Sequence, residues 1–244
     1  MNSALAYGVQ SVGGFEAGVP AAFQRFILDF CEPYPDRVSL VGAKILETPD
    51  RRFDMLNVKY VMVTAPGQQF DLLTQQTDRF TRVFQQPGVA VFENRTVLPR
   101  FFSVPVSRIE VIPSMSDQLA RLKESTFDPE RSVLLSQRPV IGGPENEESV
   151  AKIEILDRWN NGYRIRTDSA GPAAVVVSQM YYPGWKASVD GLPTRVYPVD
   201  VALTGFIVRS GVHEVRLYFR PNSFLVGLAI SILSLTIVVV ALRR

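Results

Sequence analysis

The C-terminal stretch constrains this chain more than anything before it. From Pro221 through Leu242 no side chain carries a charge, and Phe224–Leu242 is apolar apart from Gly227, Ser231, Ser234 and Thr236. At 1.5 Å per residue a helix over that stretch reaches roughly 28 Å, close to the ~30 Å hydrocarbon core of a bilayer. A single segment satisfies its backbone in lipid only as a helix. Core helices of soluble proteins rarely run this long without a charge. The reading is therefore a transmembrane helix with a short basic tail over 221–244.

Charges do not orient it. Arg216 and Arg220 precede the apolar run and Arg243 and Arg244 follow it, so the positive-inside comparison is nearly even. Met1–Gly18 has neither a basic n-region nor a continuous apolar h-region, so no signal peptide is expected. A free-standing chain of this kind would insert as a tail anchor, with its bulk in the cytoplasm. As the last piece of a longer multi-spanning protein, it could present its bulk outside.

The soluble part changes period along its length. Pro20, Phe23, Phe26, Ile27 and Phe30 have the spacing of a short amphipathic helix, ended by Cys31-Glu32-Pro33-Tyr34-Pro35, within an N-terminal segment 1–47. Thr48-Pro49 reads as the start of a helix through Leu56. Val58–Thr64 has the composition of a strand buried on both faces. Phe80–Phe84 and Val89–Glu93 flank Gln85-Gln86-Pro87-Gly88 as a hairpin. Phe101–Ile112 reads as extended. Ser114 and Asp117 form a capping-box pattern before a helix faced by Met115, Leu119 and Leu122. Ser132–Ser136 returns to strand. These elements predict an α+β unit over 48–140, followed by a Gly-Pro-acidic linker at 141–149.

After the linker the period is two. Ile153 and Ile155 alternate with Lys152 and Glu154, and Tyr163 and Ile165 with Arg164 and Arg166. Trp185, Ala187 and Val189 oppose Lys186, Ser188 and Asp190. Val215, Leu217 and Phe219 oppose Glu214, Arg216 and Tyr218. Asn161-Gly162 and Asp190-Gly191 are turn signals. About seven short strands over 150–220 predict an antiparallel β-sandwich. The expected fold class is an α+β unit followed by an antiparallel β-sandwich and one C-terminal transmembrane helix.

Composition removes several chemistries. With 26 basic against 24 acidic side chains, no concentrated basic surface for nucleic acid is expected. Cys31 is the single cysteine and His213 the single histidine, which leaves no intrachain disulfide and no thiolate or histidine metal cluster. No metal or cofactor is expected. Phosphate-cradling glycine loops are missing, and Gly8-Val9-Gln10-Ser11-Val12-Gly13 is one residue too long for a nucleophile elbow. His213 reads as a structural histidine at a strand start, and a Cys31–His213 dyad carries little weight. Asn94-Arg95-Thr96 fits the three-residue glycosylation pattern, which is weak. The one cluster suited to a ligand is Tyr181-Tyr182-Pro183-Gly184-Trp185-Lys186, three aromatics and a lysine around a Pro-Gly corner. Tyr181, Tyr182, Trp185 and Lys186 are candidate glycan contacts. The competing reading puts Trp185 in the sandwich core, with the tyrosines packed at the corner.

Several short motifs occur in a specific order: Leu56-Asn57-Val58-Lys59-Tyr60, Phe92-Glu93-Asn94, Leu98-Pro99-Arg100, Tyr181–Lys186 with Val189-Asp190-Gly191, Gly211-Val212-His213-Glu214-Val215, and the apolar helix. Together with Ser11-Val12-Gly13-Gly14-Phe15 they resemble the C-terminal part of YfhO-like bacterial membrane proteins. That family is similar to lipid-linked-sugar-dependent glycosyltransferases of the GT-C type, some tied to sugar decoration of cell-envelope polymers. The resemblance implies an accessory extracytoplasmic region in the bacterial cytoplasmic membrane. Its implied partners are the bilayer, the remaining membrane helices of a parent protein, and a polyprenyl-phosphate sugar or envelope glycan. The family's catalytic carboxylates belong to an early loop with no counterpart here, so no catalytic residue carries over. The alternatives from other classes are a stand-alone membrane-anchored glycan- or protein-binding module and, with least support, an independent hydrolase.

Overall fold

The structure, a computed structural model, describes residues 20–28, 50–143 and 148–242. A six-stranded sheet buried on both faces organises it. Its strands are β4 (Phe101–Pro105), β5 (Ile109–Val111), β6 (Val133–Leu135), β9 (Ala173–Met180), β12 (Val196–Val199) and β13 (Leu203–Val208), in the order β4-β9-β13-β12-β6-β5. Only β5 and β6 run parallel. The second sheet holds β7 (Lys152–Trp159), β8 (Gly162–Ser169), β10 (Trp185–Val189), β11 (Leu192–Thr194) and β14 (Gly211–Phe219), in the order β11-β10-β14-β8-β7.

Strand parity explains the layering. Along β9, Ala173, Val175 and Val177 point into a core shared with Tyr163, Ile165, Val215 and Leu217 of the second sheet. Ala174 and Val176 point the other way, into a core with Met55, Phe92 and Leu134. A strand covered on both sides reads as a continuous apolar run, and Ala173–Val177 is one. Gly205 of β13 has no room for a side chain: a Cβ there would stand 2.6 Å from Val199 Cγ1.

The third layer is a three-stranded sheet, β1 (Tyr60–Val63), β2 (Phe80–Gln86) and β3 (Val89–Asn94), ordered β1-β3-β2. Around it lie α1 (Ala21–Leu28), α2 (Arg52–Met55), α3 (Gln68–Gln75) and α4 (Met115–Leu122). The Pro87-Gly88 turn, with Gly88 at φ 87°, closes the expected hairpin. Ser114 caps α4, its Oγ accepting from Asp117 N at 3.4 Å. Arg52 is buried; its guanidinium lies against the Asp50 carboxylate (2.6 Å) and donates to the Phe26 carbonyl (3.0 Å), which seats α1.

The structure corrects four expectations. Val58–Thr64 is not buried on both faces: β1 is a sheet edge, with Tyr60 and Met62 turned to solvent and only Val63 buried. Phe101–Ile112 is two strands, β4 and β5, split by a 3-10 turn at Val106–Arg108. Ile155 is exposed, because a bulge between Ile155 and Asp157 breaks the alternation of edge strand β7. The polar stretch 141–149 does not separate two self-contained sheets: β4 pairs with β9, and β6 with β12, across it. The expectations for Phe30, Cys31, Thr48-Pro49, the Gly8–Gly13 stretch and Arg243-Arg244 lie outside the described residues.

Behind β14 comes α5, Asn222–Leu242, 21 residues and apolar all round. Its Asn222–Val239 window has a mean hydropathy of 2.2 and none of it is buried, which removes the reading as a core helix. Ser231 and Thr236 donate to the carbonyls of Gly227 (2.9 Å) and Ile232 (2.8 Å), so these hydroxyls are satisfied within the helix, as lipid requires.

One buried acid sits far from this end. Asp200, in the turn from β12 to β13, is fully buried with φ 48°. Its Oδ1 accepts from Leu134 N at 2.8 Å, whereas Oδ2 has no hydrogen-bond partner. Loss of hydration pushes the carboxyl up to about 7 against the opposing pull of the Leu134 N–H, and the nearby Glu110 charge adds to the rise.

Candidate functional site

The candidate glycan contacts fall where the sandwich meets α5. The Pro183-Gly184 corner leads into β10, and Trp185 sits opposite Phe219, the last residue of β14. Gly184 is required here: φ is 136°, and a Cβ would lie 2.9 Å from Phe219 Cε2 and 3.0 Å from Pro221 Cα. Its carbonyl accepts from Arg220 N at 2.8 Å. Trp185 stands edge-on to Phe219 at 5.5 Å and packs against the core between the sheets. Tyr182 leans on the same ring at 6.1 Å, with 47% of its surface exposed. Tyr181 is half-buried, and Lys186 Nζ donates to Asn222 Oδ1 at 3.0 Å. The corner thus braces the strand that enters the helix, and of its four residues Tyr182 offers the most open ring.

Sequence reasoning missed what lies beside it. The β7–β8 hairpin brings Asn160-Asn161 against the same strand end: Phe219 N donates to Asn161 O (2.8 Å), and Asn161 Nδ2 to Phe219 O (3.2 Å). Trp159, at that hairpin, and Trp185 line one cleft of about 180 Å³. Next to it an open groove of about 850 Å³ runs over the second sheet from Asp190 and Glu214 past Arg216 and Tyr218 to Trp159 and Arg220. The Arg216 guanidinium stands 5.4 Å from the Trp159 ring centre. Trp159 precedes a turn signal, as Trp185 follows one. The β7–β8 hairpin, with Trp159 lying over Gly162, brings the two tryptophans to one cleft, and sequence spacing does not reveal it. Aromatic faces beside carboxylates, amides and guanidinium groups suit a polyhydroxylated ligand.

The remaining motif residues are structural. Asn94 is buried, its Nδ2 donating to Asp54 Oδ1 (2.8 Å) and the Val58 carbonyl (3.1 Å), so its amide is not open to glycosylation in the folded chain. Thr96 and Arg79 also reach Asp54 Oδ1, at 3.0 and 3.1 Å. Asn57, at φ 57°, donates to the Leu98 carbonyl at 2.7 Å. The Ser178 hydroxyl bonds the Met55 carbonyl, and Arg100 bonds the Ser178 carbonyl, stitching the third layer to β9. His213 uses both ring nitrogens locally, Nδ1 at 2.6 Å from Asp190 Oδ2 and Nε2 at 3.0 Å from Ser210 O. Its hydrogen bond to Asp190 raises the imidazole above its ordinary value and holds the Asp190 carboxyl below its own. Asp190 at φ 50° and Gly191 at φ 81° form the expected Asp-Gly turn, so this pair staples a hairpin to the start of β14. Among the described residues, no three His, Cys, Asp or Glu side chains converge on a metal position.

Residues 146–231, from the polar connection through the second sheet and into α5, match the family model described as bacterial membrane protein YfhO. The chain carries a YfhO-like region. No curated protein and no solved structure matches it. The YfhO-like stretch contains the Tyr181–Lys186 corner, both tryptophans and the groove; the Leu56–Tyr60 and Leu98–Arg100 motifs lie before it. Family and apolar helix together make this a membrane-associated chain.

Proposed function

We propose that this chain is the extracytoplasmic C-terminal region of a YfhO-like multi-spanning protein in the bacterial cytoplasmic membrane, accessory to lipid-linked sugar transfer onto cell-envelope polymers. The observation that carries the reading is the run of the YfhO-like stretch through the aromatic corner and groove directly into the apolar helix. A lipid-linked sugar has its sugar at the membrane surface, and the groove ends beside the residues that enter the helix. Trp159 would stack on a sugar ring in the groove, with Arg216 and Asn161 beside it to bond its hydroxyls, and Tyr182 offers a second exposed ring at the adjoining corner. The chain supplies surface; the reacting groups belong to the rest of the parent protein.

The test is binding in detergent, with a polyprenyl-phosphate sugar titrated against the two tryptophans. Weak saturable binding is expected, reduced about fivefold by Tyr182→Ala, because a sugar–aromatic stack of ~1 kcal/mol is removed. Unchanged binding in Tyr182→Ala, and in Trp159→Phe, would sink the reading. Alkaline phosphatase fused after Arg220 in the parent protein should be active; an inactive fusion beside an active cytoplasmic reporter would reverse the orientation.

A further inference from the structure

We infer that the sandwich end around Trp159, Tyr182 and Trp185 is seated in the headgroup layer of the bilayer, where it selects anionic phospholipid. The geometry fixes its depth. With 21 residues, α5 is about 31 Å long, which matches the hydrocarbon thickness and puts Asn222 at one boundary. Everything bonded to residues 219–222 lies at that same level. Trp185 is paired with Phe219, Asn161 exchanges two hydrogen bonds with Phe219, Gly184 holds Arg220, and Lys186 holds Asn222. The sandwich therefore meets the membrane edge through four separate ties and cannot stand off it on a loose tether.

Side-chain chemistry agrees with that depth. The protein has two tryptophans, and both lie at this end. Tryptophan and tyrosine favour the membrane–water interface, where an apolar ring and a polar N–H or O–H each find their medium. Around them stand Arg158, Lys186 and Arg220, with Asn160 and Asn161 between. Asp157 is the nearest acid in sequence, and its Oδ1 already accepts from Arg158 N at 2.8 Å. Asp190 and Glu214 lie toward the far end of the groove. A basic rim beside partly exposed aromatic rings fits an anionic headgroup, each basic residue near the surface favouring it about fivefold. This inference is independent of the sugar reading and holds for either side of the membrane.

The test uses the full chain in nanodiscs, with single-tryptophan variants Trp159→Phe and Trp185→Phe. Spin-labelled phosphatidylglycerol and phosphatidylcholine, labelled near the headgroup or near the chain end, quench fluorescence according to depth and lipid type. Both tryptophans should be quenched more by the shallow label than by the deep one, and more by phosphatidylglycerol than by phosphatidylcholine. Arg220→Glu should cut the lipid preference by about 25-fold, two charges at about fivefold each, while leaving the depth order unchanged, a readout that a simple loss of folding would not give. Free quenching by aqueous iodide, with no quenching by either lipid label, would overturn the inference.

Discussion

Replacing Asp200 with asparagine should change how stability depends on pH. The wild-type carboxyl is fully buried, one oxygen bonded to Leu134 N and the other without a partner, and desolvation lifts its titration from an ordinary 3.8 to about 7. Because the folded value is raised, the sign is the reverse of a salt-bridged aspartate. Below the unfolded value both states are protonated and nothing is lost. As pH rises from about 4 to about 7 the unfolded state ionises while the folded state resists, and stability falls. Over that span, at about 1.4 kcal/mol per pH unit, the loss comes to about 4 kcal/mol as an upper bound. An asparagine at this position keeps the oxygen that accepts from Leu134 N, tolerates φ 48°, and places an unpaired amide where the neutral acid has an unpaired hydroxyl. The two chains should therefore be nearly equal at pH 4. By pH 7.5 Asp200→Asn should be more stable by roughly 2–4 kcal/mol. Urea unfolding of residues 1–220, followed by the two tryptophans at half-unit pH steps, measures both curves. Parallel curves from pH 4 to 8 would mean that Asp200 is ionised with a compensating partner, and the reasoning would fail.

Asn94→Ala should cost roughly 2–3 kcal/mol in a thermal melt, because buried Asp54 loses a donor; a change under half of that would mean Arg79 and Thr96 suffice. Gly205→Ala should lose about 1–3 kcal/mol by driving a methyl into Val199, and a neutral outcome would contradict the close approach. The His213 ring should titrate above its ordinary 6.5 by NMR and return toward it in Asp190→Asn. Its staple is complete below pH 6.5, provided Asp190 stays ionised, and is lost as pH rises through the raised value. Residues 148–220 alone should give a poorly dispersed NMR spectrum, whereas residues 1–220 should give a folded one, since β9 needs β4 and β12 needs β6.

Where local chemistry decides the conformation, the sequence was legible. Asp190-Gly191 turned as expected because only a few residue types accept two successive positive φ values. Ser114 capped its helix, and the alternations of β8, β10 and β14 pointed the expected side chains inward. What was hidden is what depends on distant pairing. Nothing in Phe101–Pro105 announces a partner some seventy residues away, so the Gly-Pro-acidic composition of 141–149 reads as a boundary. The edge position of β1 was equally invisible, because an apolar run has the same composition at an edge as at a centre. Helix Gln68–Gln75, polar apart from Phe70, Leu72 and Leu73, carried too little periodicity to stand out. The aromatic corner was legible as a cluster, but its second tryptophan was not, because it is the β7–β8 hairpin that lays Trp159 over Gly162 toward the end of β14 where Trp185 pairs.

The short passage from β14 to α5 gives the molecule a mechanical character. Between Phe219 and Asn222 there are two residues, and hydrogen bonds from Gly184 and Lys186 clamp that passage on one side while Asn161 clamps it on the other. A hinge with so little free backbone transmits torque. Nine-residue β14 extends about 30 Å from the clamp. A change of about 10° in the helix's lean within the bilayer would therefore sweep the far end of β14 through about 5 Å, and the Asp190–His213 staple, nearer the clamp, through about 3–4 Å. Bilayer thickness, or a neighbouring helix that resets that lean, would be read out as a displacement of the whole sandwich, like the arm of a lever whose short end is held in lipid.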